Sequence, residues 1–228
     1  MPPLGDLVVL DNFQKHSYPL GIIVNLDGHR FVDEGANYRN HTCAKYGREI
    51  IKQPQRTAIQ VFDAKTIKMV RDQFRVRQVT KAESSTLEGL AEALEINSEN
   101  FLRTFRDFNQ ACQPRDFNPA ILDGTRTKGI SPPKPNWALP LDTPPHTAIV
   151  VTCGFKLTFD GLKKNGSGEV RDITDKPIPG LFAAGELVGG LFCGNYLGGA
   201  GLMAGSVFGK ISGQSAARYA TNVPSKST

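Results

Sequence analysis

Short runs of β-branched and apolar residues alternate along this chain with amphipathic stretches, a pattern that predicts strands interleaved with helices. Residues 21–25 (GIIVN) form the first run. Asp27-Gly28 behind it is a turn signal, so HRFVDEG is expected to return beside it as a strand partner. Residues 40–52 (NHTCAKYGREIIK) read as a helix closed by Pro54, 57–63 (TAIQVFD) as a strand, and 64–74 as a helical stretch. Ser85 and Glu88 have the spacing of a capping box opening TLEGLAEALEI. Asn97 or Ser98 then caps a second helix, with Phe101, Phe105, Phe108 and Cys112 on one face. Such an aromatic stripe packs a core or lines a ligand pocket, and core packing is the reading adopted.

Eight of the fifteen prolines fall between residues 114 and 145, with the lone Trp137 among them. This segment is expected to be an irregular connection between two structural parts. Beyond it, 147–152 (TAIVVT) and 156–159 (KLTF) read as strands, and 180–186 (GLFAAGE) as a strand entering a glycine-rich loop. Eleven of the twenty-three glycines lie between 180 and 213, and a helix is expected from about Ala200. Gly201, Gly205, Gly209 and Gly213 make a bare stripe along that helix. Each glycine costs about 1 kcal/mol relative to alanine, which is explicable if a backbone or a flat ligand must approach closely. Lys210, Gln214 and the shortness of the apolar run argue against a membrane dimer helix. Gly198-Gly199 precede the helix and leave its first amides available to a partially negative group.

Composition changes this picture little. Hydrophobic residues are 39% of the 228, charged residues 21%, and the net charge is +5, ordinary for a globular protein. No run of five or more Lys/Arg appears, so nucleic acid is not an expected partner. Cys43, Cys112, Cys153 and Cys193 form no CxxC pair, which signals neither zinc nor a redox dithiol. Free thiols, an N-terminus unlike a signal peptide and the lack of a spanning apolar stretch predict a cytoplasmic protein that does not itself cross a membrane.

The order IPGLFAAGE, VGG, GNYLGGAGL and GSVFGKISG resembles the flavin-binding signature of the fumarate reductase/succinate dehydrogenase flavoprotein superfamily. Within it, DNFQKHSYPLGIIVN, GHRFVDEGANYRNHTCAKYGR, VFDAKT, PPKPNWALPLDTPPH and VVTCGFKLTF look most like the tricarballylate dehydrogenases. The resemblance implies FAD as cofactor and a mixed α+β, α/β fold. Residues 26–145 would form a capping domain over the flavin. Residues 1–25 and 146–228 would belong to a Rossmann-like flavin domain. It also implies that Glu186 hydrogen-bonds the ribityl chain, with Gly185 and Asn195 beside it. Backbone amides of Leu197, Gly198, Gly199, Ala200, Gly201 and Leu202 would hold the flavin N1/C2=O edge, where a reduced flavin carries charge.

The departures are informative. Where fumarate reductases carry a catalytic His, a substrate Arg and an Arg proton donor, this chain has Lys156 or Leu157, Tyr196 and Ile67. Fumarate reduction is therefore not expected. Asp160 stands where a glycine is usual. Tyr196 resembles the tyrosine of ketosteroid dehydrogenases that polarises a substrate carbonyl, while Arg39 and His16 are candidates for carboxylate recognition and proton handling. The expected chemistry is dehydrogenation of a small carboxylate such as tricarballylate, with hydride passing to flavin N5 and electrons onward to a separate acceptor. No G-x-G-x-x-G occurs, although the superfamily holds its pyrophosphate with that motif. The competing expectation is thus a non-catalytic fragment or interaction module unable to hold FAD alone.

Overall fold

The computed structural model describes residues 14–77, 79–154, 157–194 and 196–222. The chain folds as two compact units that meet in sequence at Gly154.

The first unit is built on an antiparallel sheet of β1 (Ile22–Val24), β2 (Thr57–Phe62), β3 (Lys81–Ser84) and β4 (His146–Thr152), in the order β1-β2-β4-β3. Ile23 lies opposite Gln60, and Gln60 opposite Ile149. Every residue of β2 is buried. The reason is that both faces are covered. On one side Ile22, Val24, Ile59, Val61 and Ala148 pack against α2 (Leu87–Leu94) and α3 (Ser98–Ala111) through Leu90, Phe101, Phe105 and Phe108. On the other, Ile23, Ala58, Phe62, Ile149 and Val151 meet Tyr46 and Ile50 of α1 (Arg39–Ile50) and Phe74. The phenylalanine stripe is core, as its spacing predicts.

Four expectations are corrected here. The chain turns at Gly28, but among the described residues HRFVDEG makes only the single bridge Val24–Arg30. The buried Glu34 carboxylate takes the Ile23 amide at 2.7 Å, leaving no place for a returning strand there. Residues 64–74 hold two 3-10 turns, Ile67–Met69 and Asp72–Phe74, instead of a helix. Asp63 Oδ1 captures the Lys65 and Thr66 amides at 3.1 Å, and such side-chain bonds compete with helix formation. The cap of α2 is Thr86, whose Oγ1 accepts from Gly89, not Ser85; Asn97 caps α3. Lastly, the proline-rich segment does not separate the units. Lys134 Nζ donates to the Gly21 carbonyl at 2.6 Å, Asn136 to that of Gly35, and Trp137 and Leu141 are buried within the first unit. The first compact unit runs on through β4, an inner strand of the sheet, and ends at Gly154.

The second unit is sparer: a hairpin of β5 (Glu169–Arg171) and β6 (Pro177–Phe182), a glycine-rich loop, and α4 (Ala200–Asn222). Leu157–Phe159 form no strand, and Lys156 lies outside the described residues. Backbone proximity shapes this unit. A Cβ on Gly161 would sit 2.3 Å from the Leu187 carbonyl, and one on Gly168 would strike Ser212, the single buried residue of α4. Ser212 Oγ donates to the Ala183 carbonyl at 3.0 Å and ties α4 to the end of the hairpin. No described helix is long and apolar enough to cross a membrane.

Candidate functional site

The candidate residues fall in two places, one in each unit. In the first, the chain enters through His16 and Ser17 and later forms the N-terminus of α1. His16 Nδ1 and Arg39 Nη1 are 3.4 Å apart, so two of the three proposed catalytic side chains do meet. They line a pocket of about 400 Å³ with Arg71, Asn40, Tyr38, Met69 and Trp137. Burial, and then the neighbouring Arg71 charge, push the Arg39 guanidinium below its ordinary value. It remains a cation, since guanidinium groups are not deprotonated in proteins.

Arg71 was not among the sequence candidates. Its segment was read as helix, whereas its backbone is extended and its amide is held by Ser17 Oγ at 3.1 Å. Trp137 has φ +57, and its indole N–H donates to the carbonyls of Ile121 and Asn118 at 2.8 and 3.2 Å. Asp123 Oδ1 holds the Trp137 amide. Burial works against that carboxylate, but the amides of Trp137, Asn118 and Thr125 keep it below the usual range. The Trp137 ring is therefore a fixed wall.

The second place is the loop from Ala183 into α4. Glu186 is exposed, and its Oε1 accepts the Thr158 amide at 3.1 Å. Gly185, Gly190, Gly194 and Gly199 have φ between +74 and +87, a region that only glycine enters without strain. Nothing lies within 4 Å of where a Cβ would stand on any of them. At these four positions the loop presents bare backbone to open space. Gly198, Gly199 and Leu202 are exposed; Ala200 and Gly201 are half-buried at the helix start, and Asn195 lies outside the described residues.

Tyr196 closes this loop onto α4. Its hydroxyl accepts the Gly201 amide at 2.8 Å, and its ring packs against Phe192 (5.1 Å, 71°) and Phe159 (6.5 Å, 22°). A Cβ on Gly201 would lie 2.6 Å from that hydroxyl and would displace it. A hydroxyl that accepts from a helix N-terminal amide is a stronger donor through its own proton. The glycine stripe is only partly explained: a Cβ on Gly205 would stand 4.0 Å from Gly185 Cα, whereas Gly209 and Gly213 face open space. Asp160 is exposed, and the residue its neighbourhood requires is Gly161, where two backbones cross.

A family model described as "FAD binding domain" matches residues 9–202. The chain is 32% identical over 202 residues to a probable fumarate reductase of Shewanella frigidimarina (strain NCIMB 400), covering 87% of this chain and 31% of that protein. Among solved structures, the open conformation of a flavocytochrome c3 fumarate reductase superposes with TM-score 0.67 at 28% identity, covering 90% of this chain and 34% of its own. A 3-ketosteroid-Δ4-(5α)-dehydrogenase from Rhodococcus jostii RHA1 does so with TM-score 0.60 at 25% identity, covering 89% and 39%. The chain spans about a third of the length of these proteins.

Proposed function

The chain belongs to the FAD binding domain family, and on that premise we propose that it serves an FAD-dependent dehydrogenation of a carboxylate at a CH–CH unit. FAD is the cofactor that this family match indicates. The observation that carries the reading is the bare loop: four left-handed glycines with open Cβ positions, flanked by Glu186 and by the start of α4. These features fit a flat, partly anionic ring system, because no side chain stands at the four glycine positions and a helix N-terminus favours negative charge. Glu186 would bond the ribityl hydroxyls, and the backbone from Leu197 to Leu202 would meet the flavin edge. Bound FAD supplies a two-electron acceptor.

The remaining work falls to the chain's own side chains. Tyr196 donates its hydroxyl proton to a substrate carbonyl or carboxylate, polarised by the Gly201 amide at its back. The first unit acts as the capping domain, where Arg39 orients a carboxylate and His16 handles a proton. Oxidation is the proposed direction. The relatives include fumarate reductases, but Ile67 and Tyr196 stand where the superfamily resemblance places their arginines. Electrons then leave through a separate acceptor. Tricarballylate is one such acid, suggested by the resemblance of the sequence blocks alone.

The test is the visible absorption spectrum of the purified chain before and after incubation with excess FAD. A structured, protein-bound flavin spectrum is expected, with Tyr196→Phe retaining flavin but losing about 10- to 1000-fold in turnover. A protein that stays colourless with FAD defeats the flavin reading and leaves the interaction-module alternative.

A further inference from the structure

The lining of the pocket in the first unit is of two kinds. His16, Arg39 and Arg71 are its basic members, and among the described lining residues none is acidic. The pocket also lies at the N-terminus of α1, a twelve-residue helix with no side-chain cap and no acidic residue in its first turn. Helix dipole and guanidinium charge therefore add at the same spot. Arg39 lies close enough to Arg71 to feel its charge. Two like charges with no acidic partner among the described lining residues are an arrangement that an incoming anion relieves.

The rest of the lining is largely apolar and aromatic. Trp137 and Tyr38 approach with centroids 6.0 Å apart at 52°, and Met69 and the Pro19 and Pro119 rings complete the wall. Tyr38 is an exposed aromatic, and Trp137 is anchored by its indole N–H and its backbone amide. A small polar acid would satisfy the basic residues and leave this wall wet.

We infer that the pocket takes a carboxylate carried on an apolar ring, the acid group between Arg39 and Arg71 and the ring against Tyr38 and Trp137. This rests on the carboxylate chemistry proposed above and narrows it, away from tricarballylate. It uses the first unit alone and needs no flavin, so the two ideas fail separately.

Trp137 is the chain's single tryptophan, and its fluorescence reports on this wall directly. The full chain would be titrated with cyclohexanecarboxylate, which does not absorb in the relevant range. Cyclohexanemethanol and tricarballylate serve as comparison probes. The expected result is a saturable change with cyclohexanecarboxylate and at least about 10-fold weaker binding of both other probes. Arg71→Gln, whose side chain is exposed and whose backbone amide keeps its bond to Ser17, should weaken the acid by about 10-fold with an unchanged circular dichroism melt. Three results each overturn the inference: no response to the acid, equal binding of the alcohol, or equal binding of tricarballylate. A colourless protein that still binds the ring acid would remove the flavin reading and keep this one.

Discussion

The two units solve the same problem by different means. The first buries apolar side chains on both faces of a sheet, including Phe62, Phe101, Phe105 and Ile149. In the second, the buried cluster is Val170, Ala183 and Val188, while Leu187, Leu197, Leu202, Met203 and Val207 lie exposed, Leu202 at 76%. Its 23-residue helix buries only Ser212. What shapes the second unit is glycine: backbones crossing at Gly161 and Gly189, a hairpin closing on Ser212, and a loop turning through positive φ. Burial at roughly 25 cal/mol per Å² holds the first unit, whereas close approach without side chains holds the second only weakly. Stability and the cofactor candidates thus occupy opposite ends of the chain. Elements that bind ligands are commonly drawn from the low-stability end of a structure.

The largest expected effect follows directly. In amide hydrogen exchange, β2 and β4 should open only with global unfolding, while β5, β6 and α4 should exchange about a thousandfold faster. Added FAD should slow exchange in 185–205 and leave β2 and β4 unchanged. Equal protection in the two units would remove the contrast drawn here.

A smaller effect tests how the first unit tolerates charge. Lys134 is wholly buried, and burial lowers its ammonium to about 8; Glu34 opposes that shift, and the Arg30 charge reinforces it. Between pH 8 and the unfolded value of 10.5, the unfolded chain holds this proton and the folded one does not. The Lys134 contribution to stability therefore rises across that window, by about 3 kcal/mol in total. Denaturant melts at stepped pH should show wild type gaining on Lys134→Met from pH 8 to 10.5, with a constant difference below pH 7. A difference that stays flat throughout would mean that Lys134 keeps its charge inside.

How much of this was legible in the sequence depended on whether side chains or backbone decided the structure. Phe101, Phe105 and Phe108 announce a buried helix face by spacing alone, and the runs at 21–25, 57–63 and 147–152 announce the strands found at Ile22–Val24, Thr57–Phe62 and His146–Thr152. The failures share a cause. Glu34 bonding Ile23, Asp63 capturing two amides, and Lys134 reaching Gly21 are polar contacts with backbone, and residue type does not say which amide or carbonyl will be chosen. Arg71 escaped notice for the same reason: Ser17 holds its amide in extended backbone, and no periodicity records that bond. In the second unit the glycines marked the place of the loop, and Gly198-Gly199 the start of α4. Tyr196 was chosen by resemblance, and its bond to Gly201 could not have been read from spacing.

The smallest effect compares the two units cap for cap. In the first, Thr86 Oγ1 accepts the Gly89 amide at 3.1 Å; in the second, the Tyr196 hydroxyl accepts the Gly201 amide at 2.8 Å. Losing a side-chain cap costs about 1 kcal/mol wherever the helix melts with its surroundings. Thr86→Ala should therefore lower the main denaturant transition by about that amount, because α2 packs on the sheet through Leu90 and Ala91. Ser85→Ala, one residue earlier, should leave it unchanged. Tyr196→Phe removes a bond just as short, yet it should not move the main transition, because little apolar burial couples α4 to the rest. Its cost should appear only as faster exchange in the first turn of α4, at 200–204. If Tyr196→Phe shifted the main melt as far as Thr86→Ala does, the second unit would share the cooperativity of the first, and the division between a self-sufficient and a dependent unit would be wrong.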